Sequence, residues 1–406
     1  MQAETDEEQY QRGAALQKEG RFGEAATVFR ELADRVLTLK LALGLGVCLG
    51  ETGAFAEAAH YLGLAAGHAP DNPVIRRLAG VAFAEAGDAG RAEPELLAAL
   101  SLAPDDAEAK MALCSFYLSV GRYAEGWPLM EARVGLHADV VPPVRLPYPE
   151  WLGEPLAGRS ILVWVEQGFG DKIQMARFVP ALKARGAARV TLGCPPALTH
   201  LFTTLEGVDE LVTVAVRQSV SVAPHDCWSR YLSLPNRLGV TLETVPTAPY
   251  LTAPADRRAA WAGFRPEASL GGRRAGLVWQ ASPTGFNAAN KGLARADAQR
   301  LLDLGAVSLH PEDTGAADFA DTAAILETLD LVISIDTSVA HLAGAMGKPC
   351  WTLLPALKCD WRWLRERTDS PWYPTLRLYR QAQPGDWRET IDRVIADLAA
   401  PDLGAA

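Results

Sequence analysis

Residues 329–355 read "LDLVISIDTSVAHLAGAMGKPCWTLLP". An apolar run from Leu329 to Ile335 stops abruptly at Asp336, Thr337 and Ser338. Small residues and one histidine, His341, follow, before Gly347, Lys348 and Pro349 lead into a second apolar run. Short apolar runs bounded by turn residues read as buried strands, and the segment between them as a helix. Strand, helix and strand make the unit of a parallel sheet covered on both faces. Ligands of such sheets bind just beyond the carboxyl ends of the strands, which is where Asp336 falls.

The same alternation runs through the last two thirds of the chain. Strands are expected at Ser160–Glu166, Arg189–Gly193, Glu210–Val214, Ala275–Gln280, Ala306–His310, Leu329–Ile335, Pro349–Leu354 and Leu376–Tyr379. A break near "TAPYLTAPADRRAAWAGF" divides them into two Rossmann-like halves, 138–258 and 259–406. Each half opens with a strand that enters a loop, "ILVWVEQGFGDK" in one and "AGLVWQASPTGFNAANKG" in the other. Gly168 and Gly170 let the backbone turn tightly, and Asp171 stands at a helix start. Across the cleft, Thr337, Ser338 and the helix that follows could hold a phosphate on free N–H groups, with His341 one turn further on. The competing reading makes Asp336, Thr337 and Asp171 helix caps and His341 a satisfied core histidine. Two such loops at matching places favour chemistry. Asp171 would take a proton from an acceptor hydroxyl while the opposite helix receives a departing phosphate. With no Asp-x-Asp in the chain, no metal is expected, and Lys291 or arginines would balance the donor's charge.

The first third repeats itself. Gly53, Gly87 and Gly121 recur every 34 residues, as do Gly46 and Gly80, with Gly20 one residue out of step. Around them stand "KEGRFGEAATVF", "ETGAFAEAAHYL", "EAGDAGRAEPEL" and "SVGRYAEGWPLM". Small residues (Ala25, Ala58, Ala92, Gly126) let paired helices pack closely, and Phe29, Leu62, Leu96 and Met130 fill the gap. This resembles the tetratricopeptide repeat and implies an α-solenoid over 1–137 whose groove holds a polypeptide. Pro94 is expected near the first turn of its helix, where proline is tolerated.

Composition narrows the classes of partner. The chain of 406 residues is 49% hydrophobic and carries a net charge of −10. Of its 39 Lys and Arg and 49 Asp and Glu, residues 1–150 hold 13 and 22, so the acidity is concentrated there. No basic stripe exists to neutralise a nucleic-acid backbone. No apolar run is long enough to span a membrane and the start is polar, so a cytoplasmic protein is expected. Six scattered cysteines without a C-x-x-C pair suit reduced thiols.

Three blocks carry a further resemblance: "EQGFGDKIQMARFVPAL", "FADTAAILETLDLVISIDTSVAHLAGAMGKPCWTLLP" and "DWRW…PWYPTLRLYRQ…GDW". Together they resemble the bacterial tetratricopeptide-linked GT-B glycosyltransferases, similar in their catalytic halves to heptosyltransferases. That group includes flagellin glycosyltransferases, which use CMP-linked nonulosonic acids such as pseudaminic acid. The resemblance implies an α-solenoid followed by two Rossmann-like domains, with a C-terminal helix crossing back onto the first. It implies a metal-independent transferase without cofactor, acting on a Ser or Thr of a protein acceptor such as flagellin, with a nucleotide sugar as donor. Asp171 becomes the base. Gln167, Gly168, Gly170, Asn290, Lys291, His310, Asp336, Thr337, Ser338 and His341 become the donor-binding set. The loop "WQASPTGFNAANKGL" departs from the relatives' W-x-G-N-P…N-D-R-x-R-S, with Lys291 where an arginine would stand. A degenerate scaffold working through its repeats, or a transferase acting on a saccharide or lipid, are the alternatives. Trp361, Trp363, Trp372 and Tyr373 read mainly as braces, with Trp361 or Arg362 bordering the donor pocket as the alternative.

Overall fold

The computed structural model describes residues 4–134, 136, 141, 144, 146–215, 222–268, 271–283, 285 and 287–399. Residues 138–140, 142, 143 and 145 of the Pro-rich joint, and Thr284 and Phe286 of the 279–293 loop, lie outside them. The chain divides into two compact units, Met1–Val120 and Gly121–Ala406.

The first unit is helical throughout: α1 (Asp6–Lys18), α2 (Phe22–Ala33), α3 (Leu39–Glu51), α4 (Phe55–His68), α5 (Pro73–Glu85), α6 (Ala89–Leu102) and α7 (Ala107–Ser119). The periodic glycines make its turns, with φ of +76° at Gly20, +84° at Gly53 and +81° at Gly87. This left-handed conformation suits glycine because it has no Cβ. A second set of glycines admits the large apolar residues. A Cβ on Gly13 would stand 2.4 Å from Phe29, one on Gly46 2.6 Å from Leu62, and one on Gly80 2.7 Å from Leu96. Ala25, Ala58 and Ala92 are fully buried beside them. Pro94 lies in the second turn of α6 rather than near the first. There its missing N–H leaves the carbonyl of Gly90 without a helical donor.

The fourth copy of the repeat text begins the second unit. Its helix α8 (Tyr123–Met130) packs against elements of the first sheet's half rather than ending a solenoid at 137. Tyr123 and Trp127 pack, tilted or edge-on, against Trp361 and Trp372, and the Trp372 indole donates to the Tyr123 hydroxyl at 2.8 Å. After α8, Arg133 donates twice to Glu166 (3.0 and 2.9 Å), and both side chains are almost fully buried.

The first half then runs β1 (Ser160–Trp164), α9 (Phe169–Ala176), α10 (Val179–Ala184), β2 (Arg189–Cys194), α11 (Pro196–Phe202), β3 (Glu210–Thr213), β4 (Cys227–Arg230), α12 (Leu234–Leu238) and α13 (Ala255–Ala260). Its sheet is parallel in the order β3-β2-β1-β4. The second half runs β5 (Ala275–Val278), α14 (Ala288–Lys291), α15 (Arg295–Asp303), β6 (Val307–Ser308), α16 (Pro311–Thr314), α17 (Phe319–Glu327), β7 (Leu331–Ile335), α18 (Ser338–Ala345), β8 (Cys350–Leu354), β9 (Leu376–Arg380) and α19 (Arg388–Ala399). Its sheet is parallel in the order β6-β5-β7-β8-β9. All eight expected strands form. β4 was not expected, because Cys-Trp-Ser-Arg is short and half polar.

Over the described residues, the C-terminal helix α19 packs on the second half, where a crossing onto the first was expected. Ile391, Val394 and Leu398 of α19 are buried with Leu277, Ile333 and Leu353 in the core of the second sheet. Their i, i+3, i+7 spacing makes one apolar stripe, and that core occupies it. No helix among the described residues is long and apolar enough to cross a membrane.

Candidate active site

Two helices that begin just beyond central strands meet here, α9 after β1 and α18 after β7. The approach is close because Gly170 has no side chain: a Cβ there would stand 2.9 Å from the His341 ring and 3.6 Å from the Ser338 backbone. The two loops singled out in the sequence are therefore neighbours in space.

On the α9 side, Gln167 holds a left-handed backbone, φ +58°. Lys172, which the sequence reading passed over, compensates for that turn. Its buried ammonium donates to the carbonyls of Gln167 (2.6 Å) and Gly168 (3.1 Å). Burial lowers the Lys172 pKa. Glu166 anchors the same loop from below, accepting from Arg133 and from the Leu232 N–H. Asp171 sits in the first turn of α9 and accepts the Gly168 N–H at 2.9 Å through Oδ2. Its Oδ1 accepts from Arg362. Its side chain remains 19% exposed, so it is partly open to solvent.

On the α18 side, Thr337 occupies the N-cap position without a side-chain cap bond to the helix. Its hydroxyl pairs instead with that of Ser334, 3.1 Å away. Thr337 and Ser338 are half-buried, while Asp336 and His341 are buried. His341 Nδ1 hydrogen-bonds the Tyr373 hydroxyl at 3.0 Å, and its ring stacks on Trp363 at 5.2 Å. Burial first, and then the Arg362 guanidinium, push the imidazole down to about 3. It is thus neutral at physiological pH.

The remaining candidates line the ends of β5, β6 and β7. Lys291 forms a buried ion pair with Asp336, Nζ to Oδ2 at 2.8 Å. Asn290 donates to Asn287, which in turn donates to the carbonyls of Leu357 and Lys358. His310 packs edge-on against Trp279, ring centroids 4.3 Å apart, and burial lowers its pKa. The structure thus groups Gly168, Gly170, Asp171, Ser338 and His341 at the meeting of the helices, and Lys291 with Asp336 beside it. His310 and Asn290 make their own contacts with Trp279 and Asn287.

Arg362, which the sequence offers only as an alternative border of the donor pocket, contacts both halves of the site. It bonds Asp171, Gln174 and Asp360, and its guanidinium lies 4.4 Å over the Trp361 ring. Burial acts to raise the Asp360 pKa, but the Arg362 charge and hydrogen bonds outweigh it and hold that carboxyl below its usual range.

No family model matches the chain. Over 336 residues it is 27% identical to Protein FlbA of Caulobacter vibrioides, covering 73% of this chain and 56% of that protein. The chain therefore spans just over half the length of the curated relative it matches. Among solved structures, MamA from residue 41 onward of Desulfovibrio magneticus RS-1 is 22% identical, with a TM-score of 0.29, over 32% of this chain and 72% of its own. The glycosyl transferase family 9 structure from Veillonella parvula is 13% identical, with a TM-score of 0.41, over 56% of this chain and 88% of its own. Each likeness is partial.

Proposed function

We propose that this chain is a metal-independent GT-B glycosyltransferase that moves a sugar from a nucleotide donor to a Ser or Thr hydroxyl of a protein held by its repeats. The supporting observation is the apposition of α9 and α18, which sets the partly exposed carboxylate of Asp171 beside an N-terminus that no side chain caps. Asp171 takes the hydroxyl proton as the acceptor oxygen bonds the anomeric carbon. The bond from that carbon to the donor phosphate breaks, and its electron pair leaves with the phosphate. The N–H groups that open α18 would receive the growing charge, a role supported by the absence of a side-chain cap bond from Thr337. Flagellin as acceptor and a CMP-linked nonulosonic acid such as pseudaminic acid as donor follow from the sequence resemblance.

One observation favours a second reading, a degenerate scaffold acting through its repeats. Lys291 is already neutralised by Asp336, in a loop that departs from the relatives' pattern.

A panel of CMP-, UDP- and GDP-linked sugars, offered with a flagellin polypeptide with and without EDTA, separates the two. Transfer that survives EDTA and falls about 100-fold or more in Asp171→Asn, in a variant that still melts cooperatively, supports the transferase. Full turnover by Asp171→Asn removes the base. If wild type neither transfers sugar nor is stabilised by any of these nucleotides, the scaffold reading stands. Sugar appearing on a lipid fraction instead would move the acceptor away from protein.

A further inference from the structure

We propose that Arg362 is a positioning residue for Asp171, a role that rests on the transferase reading. The guanidinium carried by the second half would fix the plane of the first half's carboxylate, so that the base is aligned only when the halves stand together.

Arg362 is anchored on its own half before it reaches the other. Its Nη1 donates to both oxygens of Asp360 (3.0 and 2.8 Å), its backbone N–H donates to the same carboxylate, and Trp361 supports its plane. The Asp360 carboxylate, held through both oxygens by Nη1, already neutralises a buried charge. Yet the guanidinium also extends across to two groups one turn apart on α9, Gln174 through Nε and Asp171 through Nη2. A residue serving only to brace the second half would not need that reach.

Lone-pair counting shows that the contact holds Asp171 without consuming it. A carboxylate offers about four acceptor sites, two on each oxygen. Arg362 takes one on Oδ1 and the Gly168 N–H takes one on Oδ2. One site on each oxygen remains for the acceptor's hydroxyl. Rotation of the carboxylate, which would spoil the line between hydroxyl and anomeric carbon, is blocked at both ends. Lysine in place of Arg362 would supply the charge but not the fork.

Two measurements on the full chain test this. The first is a melting cycle of Asp171→Asn, Arg362→Gln and the double variant. The double is expected to lose about 2–4 °C less than the sum of the singles, and additive losses would overturn the contact. The second is steady-state transfer from whichever nucleotide sugar of the panel wild type uses. Arg362→Lys is expected to lower kcat about 10- to 100-fold while the donor KM stays within about 2-fold, and guanidinium ion added to Arg362→Ala is expected to restore part of kcat where ammonium does not. Wild-type kcat in Arg362→Lys, or equal rescue by both cations, would overturn the positioning role while leaving the transferase reading intact. No transfer by wild type would remove that reading and the positioning role with it.

Discussion

His341 shows what burial does to a residue that looks chemical in the sequence. An imidazole that titrates near 6.5 in the unfolded chain is pushed down to about 3 by burial and by Arg362, with Asp171 and Asp360 opposing. Between those values the unfolded chain holds the extra proton, so stability falls as pH drops through that window. The limiting slope is about 1.4 kcal/mol per pH unit. Urea midpoints of wild type and His341→Asn from pH 7 to 4 should diverge, with wild type losing stability more steeply; parallel curves would show that another group governs acid sensitivity. The sequence put Asp171 and His341 in the first turns of helices that follow strands, as the structure does, because strand ends and glycines are local signals. It could not show that His341 leans on Trp363 and Tyr373. Nor could it show that Asp171 meets Arg362, since those partners lie 191 positions apart and only the fold joins them.

At the scale of elements, the repeats were the most legible part of the chain, because their glycines perform two separable tasks. Gly53 and Gly87 turn the chain through positive φ, while Gly46 and Gly80 lie inside helices and make room for leucines. The second task sets two effects against each other. Replacing a mid-helix glycine with alanine gains about 1 kcal/mol of helix propensity. At Gly80, however, the new Cβ would stand 2.7 Å from Leu96 Cγ and 3.1 Å from the Leu96 backbone nitrogen, which cannot rotate away. Overpacking of that kind costs about 1–3 kcal/mol. Gly80→Ala should therefore be neutral to destabilising in thermal melts, and Gly80→Ala with Leu96→Ala, which removes the γ carbon, should lose less stability than the two single changes summed. A clear gain in stability from the single change would mean that α5 and α6 can separate. The strands were legible for the reason the repeats were: apolar runs bounded by turns recur at the scale of a few residues. β4 was not, since its four residues owe their place to pairing with β1, a long-range contact without a local signature. The destination of α19 failed for the same reason, its apolar stripe showing that it packs but not on which sheet.

At the scale of the whole chain, the repeat text and the compact units disagree, and the disagreement can be tested. The text of the fourth copy continues the series, but Tyr123, Trp127 and Arg133 belong to the body of the second unit. Cutting after residue 120 removes none of them. Cutting after 137 strips the aromatic cover from Trp361 and Trp372 and leaves Glu166 buried without its arginine. Losing one partner of a buried ion pair costs about 3–5 kcal/mol, and losing a buried tryptophan's packing costs a similar amount, about 3–5 kcal/mol. Together these come to about 6–10 kcal/mol, a large part of the 5–15 kcal/mol typical of a domain. The chain beginning at Gly121 should therefore express soluble and melt cooperatively, whereas the chain beginning at residue 138 should aggregate or fail to melt cooperatively. Glu166→Gln in the longer form should lower the melting temperature without abolishing the transition, because the glutamine still accepts from Leu232 and Arg133 but carries no charge. If the chain from 138 melts as sharply as the chain from 121, α8 adds nothing to the second unit and the boundary falls where the repeat text ends.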